Sequence, residues 1–176
     1  MIVAYQGAPG AFSHEACLRY LPDHEAVGVT TFAGVIEAVE AGHADIGILP
    51  LSNNQAGETG ARSLIESSGL RIAGQHVLPV SMHLLGLPSA KLDGIRTVES
   101  HPVALRQCVQ TLARLGVHTE EATNTAVAAG GLSRVDYGVL ASETAAQLYG
   151  LAILMPDVQD RPDNATTFAV VARSEP

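Results

Sequence analysis

Apolar residues along this chain fall into two spacings that alternate from the first residue to the last. Ile2-Val3-Ala4-Tyr5 is a short continuous run, ending at Gly7-Ala8-Pro9-Gly10, and reads as a strand followed by a turn. Ala11 to Tyr20 reads as a helix and Ala26 to Thr30 as a second strand. Phe32, Val35, Ile36 and Val39 then recur at i, i+3, i+4 and i+7, with Thr31 placed to cap that helix and Gly42 to end it. Asp45 to Pro50 is a buried strand feeding a polar loop, Ser52 to Gly57. Further on, Thr97 to Ser100 ends a strand, and Pro102 takes the first turn of a helix. In that helix Leu105, Cys108, Val109, Leu112 and Ala113 are expected to make one apolar face. Tyr137 to Ala141 and Phe168 to Ala172 are the later strands. Strands alternating with helices at this spacing predict an α/β fold with a largely parallel sheet.

Two features predict two halves. Arg71 to Leu87 is long, β-rich and interrupted by Pro79, which suits an extended connection between lobes. There is also an internal echo: Ala38-Val39-Glu40-Ala41-Gly42 precedes Asp45-Ile46-Gly47-Ile48-Leu49, and Ala126-Val127-Ala128-Ala129-Gly130 precedes Asp136-Tyr137-Gly138-Val139-Leu140. Each is a helix, a glycine stop, an acidic residue and a buried strand. Two such units facing one another are expected to leave a cleft for a small ligand.

Composition narrows the partners. Hydrophobic residues make up 47% of the 176 and aromatic ones only 4%, so the core is Val, Leu, Ile and Ala. No segment has the uninterrupted apolar length of a membrane span, and residues 1–10 lack the pattern of a secretory leader. The net charge of −8 argues against nucleic acid or an anionic membrane as partner. Cys17 and Cys108 lie in helical apolar patterns without metal-ligand spacing and are expected as free thiols in a reducing cytoplasm. The seven histidines are scattered, and Gly7 and Gly10 do not complete a dinucleotide fingerprint, so neither a metal nor a dinucleotide is expected.

Chemistry concentrates in short polar clusters beside glycine or proline. Gly7 to Ser13 opens a helix, where backbone amides and Ser13 suit a carboxylate, although a plain strand-to-helix turn has the same composition. Ser52-Asn53-Asn54-Gln55-Ala56-Gly57 offers uncharged donors and acceptors, as ordinary turn chemistry also would. Ser100 is read as a helix cap, His101 as a cation near an anion, and Gln107 follows about two turns on. Asn124-Thr125-Ala126 caps another helix. Asn164-Ala165-Thr166-Thr167-Phe168 opens the last strand, where a hydroxyl is placed to handle a proton.

Taken in order, these clusters, with Ala145-Ala146-Gln147-Leu148-Tyr149-Gly150-Leu151, resemble the catalytic domain of prephenate dehydratase over essentially the whole chain. The resemblance implies a two-lobed α/β fold of the type II periplasmic-binding-protein kind, with the ligand cleft between lobes 1–76 plus 158–176 and 77–157. It implies conversion of prephenate, or a close analogue, to phenylpyruvate by loss of ring hydroxyl and carboxylate together, with Thr166 as the catalytic donor and no metal or organic cofactor. Ser13, Asn53, Asn54, Gly57, Ser100, His101, Gln107, Asn124, Thr125, Ala126, Thr167 and Phe168 are then the substrate-binding set. A homodimer fits the family. Its pattern is departed from at Thr167, where the family has Arg, and at Ser52, where it has Glu, with Asn54 in place of the Ser that follows. The chain also stops where the family continues into a phenylalanine-sensing ACT domain, so none is expected within it. A non-aromatising decarboxylase of prephenate and a non-catalytic small-anion binding module are the alternatives.

Overall fold

The structure, a computed structural model, describes residues 1–174. By its internal packing the chain divides into two compact units. The first comprises Met1–Ala8, Phe12–Pro79 and the chain from Ala165; the second comprises Pro9–Ala11 and Val80–Asn164. The connection through Pro79 does pass from one unit to the other, but the return falls after Asn164 rather than near residue 157. Residues 157–164 stay with the second unit because its backbone binds them: the Val158 amide donates to the Met82 carbonyl and the Asp160 amide to the Gln107 carbonyl.

In the first unit the strands are β1 (Ile2–Gln6), β2 (Glu25–Val29), β3 (Ile46–Asn53), β4 (Gly57–Glu58), β5 (Leu70–Pro79) and β11 (Ala165–Arg173), with helices α1 (Phe12–Tyr20), α2 (Phe32–Glu40) and α3 (Ala61–Ser67). The sheet runs β2-β1-β3-β11-β5, with β4 beside β3. The second unit holds β6 (His83–Gly86), β7 (Thr97–Ser100), β8 (His118–Glu121), β9 (Tyr137–Ala141) and β10 (Ala152–Met155), with α4 (Pro102–Gln107), α5 (Val109–Leu115), α6 (Thr125–Gly131) and α7 (Glu143–Tyr149). Its sheet runs β10-β6-β9-β7-β8.

These are one topology used twice. In each unit three parallel strands take the spatial order second, first, third, and a strand from distant sequence then inserts antiparallel before the last. β1, β2 and β3 correspond to β7, β8 and β9, so the repeated sequence segments are the same helix and strand of each unit. The strand glycine of the echo has a packing reason: a Cβ on Gly47 would lie 2.7 Å from Val35 Cγ1, and one on Gly138 2.8 Å from Leu84 Cδ1. Of the two glycines read as helix stops, Gly42 follows α2 but Gly130 lies within α6. Both sheets are thus mixed rather than largely parallel, because the inserted strands β11 and β6 need no crossover helix to pair antiparallel. The architecture is that of the type II periplasmic-binding-protein class.

Local chemistry matches several predicted ends. Thr31 caps α2, its hydroxyl accepting from the Gly34 amide at 3.0 Å, and Gly42 follows at φ +76°. The predicted helix after Pro102 is instead broken at Cys108 (φ −125°, ψ 19°) into α4 and α5. Phase is lost there, so Val109 and Ala113 are exposed while Ala104, Cys108, Thr111 and Leu112 are buried. Asp160 stabilises the break, its carboxylate accepting from the Gln110 amide at 3.1 Å. β3 also runs to Asn53, placing Ser52 and Asn53 within a strand rather than a loop.

The sheet of the first unit is covered on both faces. Val35, Ile36 and Val39 of α2 and Ile65 of α3 pack with Leu49, Leu51, Ala169 and Val171 on one face. Ala16 and Cys17 of α1 pack with Tyr5, Ile48, Leu78, Phe168 and Val170 on the other. Successive residues of β11 therefore alternate between the α1 face and the α2/α3 face.

Candidate functional site

The clusters singled out in the sequence share a topological position within their own units. Gly7–Ser13 follows the carboxyl end of β1, Asn53–Gly57 that of β3, His101–Pro102 that of β7 and Asn124–Ala126 that of β8. Open α/β sheets bind ligands at these ends. Thr166, second residue of β11, lies at the same end because β11 runs antiparallel to β3 and starts where β3 stops.

Thr166 shares the α1 face with Phe168 and Val170 and is nearly buried, at 9% exposure. Directly across the strand pair stands Asn53, whose side-chain amide donates to Thr166 Oγ1 at 3.0 Å and to the Ala165 carbonyl at 3.1 Å. The amide's orientation is fixed by its other end. Asn53 Oδ1 accepts from the backbone amides of Gln55 and Ala56, each at 2.9 Å, so nitrogen must face Thr166. A hydroxyl that accepts from Asn53 keeps its own hydrogen for donation elsewhere. Asn54 extends the ladder by one rung: its amide donates to the Ala165 carbonyl at 3.0 Å, and its Oδ1 accepts from the Ala165 amide at 2.9 Å. Gly57, at φ +87° and paired with Asn53, closes the turn from β3 to β4. Ser13 is buried in the first turn of α1.

Thr167 is placed differently from its neighbour. It pairs with Ser52, and alternation puts it on the α2/α3 face, away from the Thr166 hydroxyl. Thr167 and Ser52, which both depart from the expected family pattern, are therefore one cross-strand pair. Phe168 is 1% exposed and packed in the apolar cluster of the α1 face; it seats the strand rather than presenting its ring.

In the second unit most of the predicted groups act on their own backbone. Ser100, fully buried, donates to the Leu140 carbonyl at 2.8 Å and ties β7 to β9. The cap of α4 is His101, not Ser100: its Nδ1 accepts from the Val103 amide at 3.2 Å. That bond requires an unprotonated Nδ1. Burial, helped by the Arg106 charge and opposed by Glu121, also holds its pKa below the usual histidine value, so His101 is a neutral imidazole near pH 7 rather than a cation. Gln107 Oε1 accepts from Asn164 Nδ2 at 3.1 Å. Asn124 caps α6, its Oδ1 accepting from the amides of Ala126 (2.7 Å) and Val127 (3.3 Å), so the fully buried Ala126 has its amide committed. Thr125, half-buried, opens the helix.

Several contributors were not named from sequence. Ser142 donates to the Gly10 carbonyl at 2.7 Å while accepting from the Ala145 amide at 3.0 Å, and Tyr149 donates to the Pro9 carbonyl at 2.7 Å. Together they hold the middle of the Gly7–Ser13 loop against α7. Ser142 had a legible signal as a helix cap; Asp160 had none, because its partners are some fifty residues away. Burial pushes both thiols, Cys17 and Cys108, up to about 12, with the Asp160 charge adding to the effect on Cys108. Neither is a nucleophile at neutral pH.

Burial also depresses the pKa of His14, which stacks on Tyr5 at 5.1 Å. For His14 and His101 the unfolded chain takes up protons before the folded one, so their contribution to stability is lost as pH falls from the unfolded value of 6.5. We expect the thermal midpoint to drop between about pH 7.5 and 5.5. The drop should be shallower in a His14→Gln/His101→Asn variant, in which Asn keeps an acceptor at the cap. Thermal unfolding followed by circular dichroism against pH measures this.

With the geometry in place, comparison with known proteins gives the class. The family model described as prephenate dehydratase matches residues 3–176, and the chain belongs to that family. It is similar to arogenate dehydratase/prephenate dehydratase 1, chloroplastic, of Arabidopsis thaliana, at 39% identity over 97% of this chain and 45% of that protein. It is also similar to a bifunctional N-acyl-homoserine lactone acylase/prephenate dehydratase of Komagataeibacter europaeus, at 36% identity over 98% of this chain and 63% of that protein. A solved structure described as GqqA, a novel type of quorum quenching acylases, superposes with a TM-score of 0.92 at 35% identity, covering all of this chain and 65% of that one. The chain thus spans about half to two thirds of the length of these relatives.

Proposed function

We propose that this chain carries out the decarboxylative dehydration of a cyclohexadienol dicarboxylate, prephenate or its amino-acid counterpart arogenate. The observation that supports it is the Thr166 hydroxyl, held by Asn53 so that its hydrogen is available to a departing group. In the proposed step the carbon–carbon bond to the ring carboxylate breaks, and carbon dioxide leaves. The electron pair enters the ring, the carbon–oxygen bond breaks, and the hydroxyl departs as hydroxide, which solvent protonates to water. Aromatisation drives the reaction, so the catalyst need only orient the substrate and stabilise the leaving oxygen. Thr166 donates to that oxygen as its charge develops. Full transfer of the Thr166 proton is not needed.

The Ser52/Thr167 change favours this reading over a decarboxylase that spares the hydroxyl. Since the pair lies on the face of β11 opposite Thr166, losing the family's cation and anion there leaves the donor's surroundings as they were. Thr167→Arg alone is therefore expected to keep turnover within about threefold. Ser52→Glu/Thr167→Arg should raise stability by about 0.2–1 kcal/mol, as partly exposed cross-strand charge pairs do. Steady-state rates and thermal midpoints of the two variants test this; a large rate gain from Arg would mean that a missing cation limits catalysis.

The deciding assay incubates the protein with prephenate and, separately, with arogenate. Loss of the substrate with appearance of an aromatic product, read for prephenate as the alkaline enolate absorbance of phenylpyruvate above a no-enzyme control, supports the proposal. A non-aromatic product gives the decarboxylase, and tight binding without turnover gives the binding module. An arm with an N-acyl-homoserine lactone tests the second activity in the name of the bacterial relative.

A further inference from the structure

We infer that Thr59, outside the substrate-binding set, is the positioning residue that sets the register of β3 against β11 and so delivers Asn53 to Thr166. Its functional consequence rests on the proposed role of Thr166; the register claim does not.

The pairing of β11 with β3 is irregular at one place. Phe168 pairs with Pro50 and Thr167 with Ser52, leaving Leu51 as an extra residue on β3. Leu51 and Ser52 then oppose Thr167 alone, which is a β-bulge. Beyond it the count has moved by one, and Asn53 stands opposite Thr166. Without the extra residue, counting from the Phe168–Pro50 pair puts Leu51 against Thr167 and Ser52 against Thr166. Asn53 would then fall opposite Ala165 and on the other face of the sheet, since a one-residue slip inverts every side chain beyond it. Thr166 would face a short serine hydroxyl instead of the amide donor. The bulge thus decides which side chain meets the hydroxyl.

A bulge leaves its extra residue unpaired and the ladder locally disrupted. Thr59 binds the backbone there. Its amide donates to the Leu51 carbonyl at 3.0 Å, and its hydroxyl faces the carbonyls of both Pro50 and Leu51. The same oxygen accepts from the Ala61 amide at 3.2 Å, the first residue of α3. One side chain therefore ties the bulge to the start of a helix, and Gly60, at φ +86°, makes the turn between them. Thr59 is itself exposed, so it serves as a clamp rather than as core.

Thr59→Val keeps the shape and removes the hydroxyl; Thr59→Ser keeps the hydroxyl. With prephenate, Thr59→Val is expected to lower kcat by about 10- to 100-fold with KM within about threefold, the size of effect that follows from displacing a catalytic group by an ångström. Thr59→Ser should return kcat to near the parent value. In an isotope-labelled sample, the nuclear Overhauser contact between the Asn53 side-chain amide and Thr166 should weaken or vanish in Thr59→Val and persist in Thr59→Ser. Persistence of that contact in Thr59→Val overturns the register claim, and an unchanged kcat overturns its functional consequence. If Val prevents folding, Thr59→Ala is read in the same way. Should Thr166→Val leave turnover intact while the contact still depends on Thr59, the reading of Thr166 fails and the register inference stands.

Discussion

Replacing Thr166 by Val is expected to lower turnover of prephenate by about two to four orders of magnitude, the range removed with a positioned proton donor, while KM changes little. Valine fills the same volume and suits a strand, so β11 should keep its register with β3 and β5. The partner is not orphaned either, because the Asn53 amide still donates to the Ala165 carbonyl. Stability should therefore fall by no more than about 1 kcal/mol, the net worth of one hydrogen bond. Rate lost without stability lost separates a group acting on the leaving oxygen from one that holds the fold. Initial rates over a range of substrate concentrations, with urea unfolding of the same samples, provide both numbers. Turnover within tenfold of the parent would remove Thr166 from the mechanism.

The second large effect is expected at Asn53, and Asn53→Asp isolates it. The retained oxygen can still accept from the Gln55 and Ala56 amides, so the turn after β3 has what it needs. The nitrogen that donates to Thr166 becomes an acceptor. The threonine then turns its hydrogen toward the new carboxylate, and the leaving oxygen loses its donor. A second oxygen is also set against the Ala165 carbonyl, where the parent has a donor. We expect turnover to fall by about 100-fold or more, comparable to losing one aimed hydrogen-bond donor, and stability to fall by about 1 kcal/mol, the worth of one lost hydrogen bond, because the Ala165 carbonyl keeps the Asn54 amide. The combination with Thr166→Val is the sharper measurement. If Asn53 acts through the hydroxyl, Asn53→Asp should reduce turnover much less in the Thr166→Val background than in the parent.

Much of the frame was legible along the chain. The i, i+3, i+4, i+7 stripe of α2 and its Thr31 cap are local features, and both are present. The echo between residues 38–49 and 126–140 proves to be one topology repeated, each copy with a glycine where a neighbouring side chain leaves no room. Errors came where distant residues intervene. Val109 and Ala113 continue a helical stripe in sequence, yet Asp160 reaches the amides behind Cys108, and the phase breaks. The error at His101, which looked like a cation, is local in part: the Val103 amide two residues on and burial make it neutral.

The candidate site divides in the same way. Order and spacing of its clusters were enough to identify the family and to point at Thr166, because motifs and strand ends are written in neighbouring residues. The face on which each side chain stands was not readable, since it depends on the pairing of β11 with a strand more than a hundred residues earlier. One extra residue at Leu51 turns Asn53 toward Thr166 and leaves Ser52 with Thr167 on the other side. The sequence by itself determined an α/β fold through periodicity and turn chemistry, and the candidate donor through its resemblance to a family. Tertiary structure alone decided which neighbours the donor has, because strand register is a long-range property and alternates with a period of two.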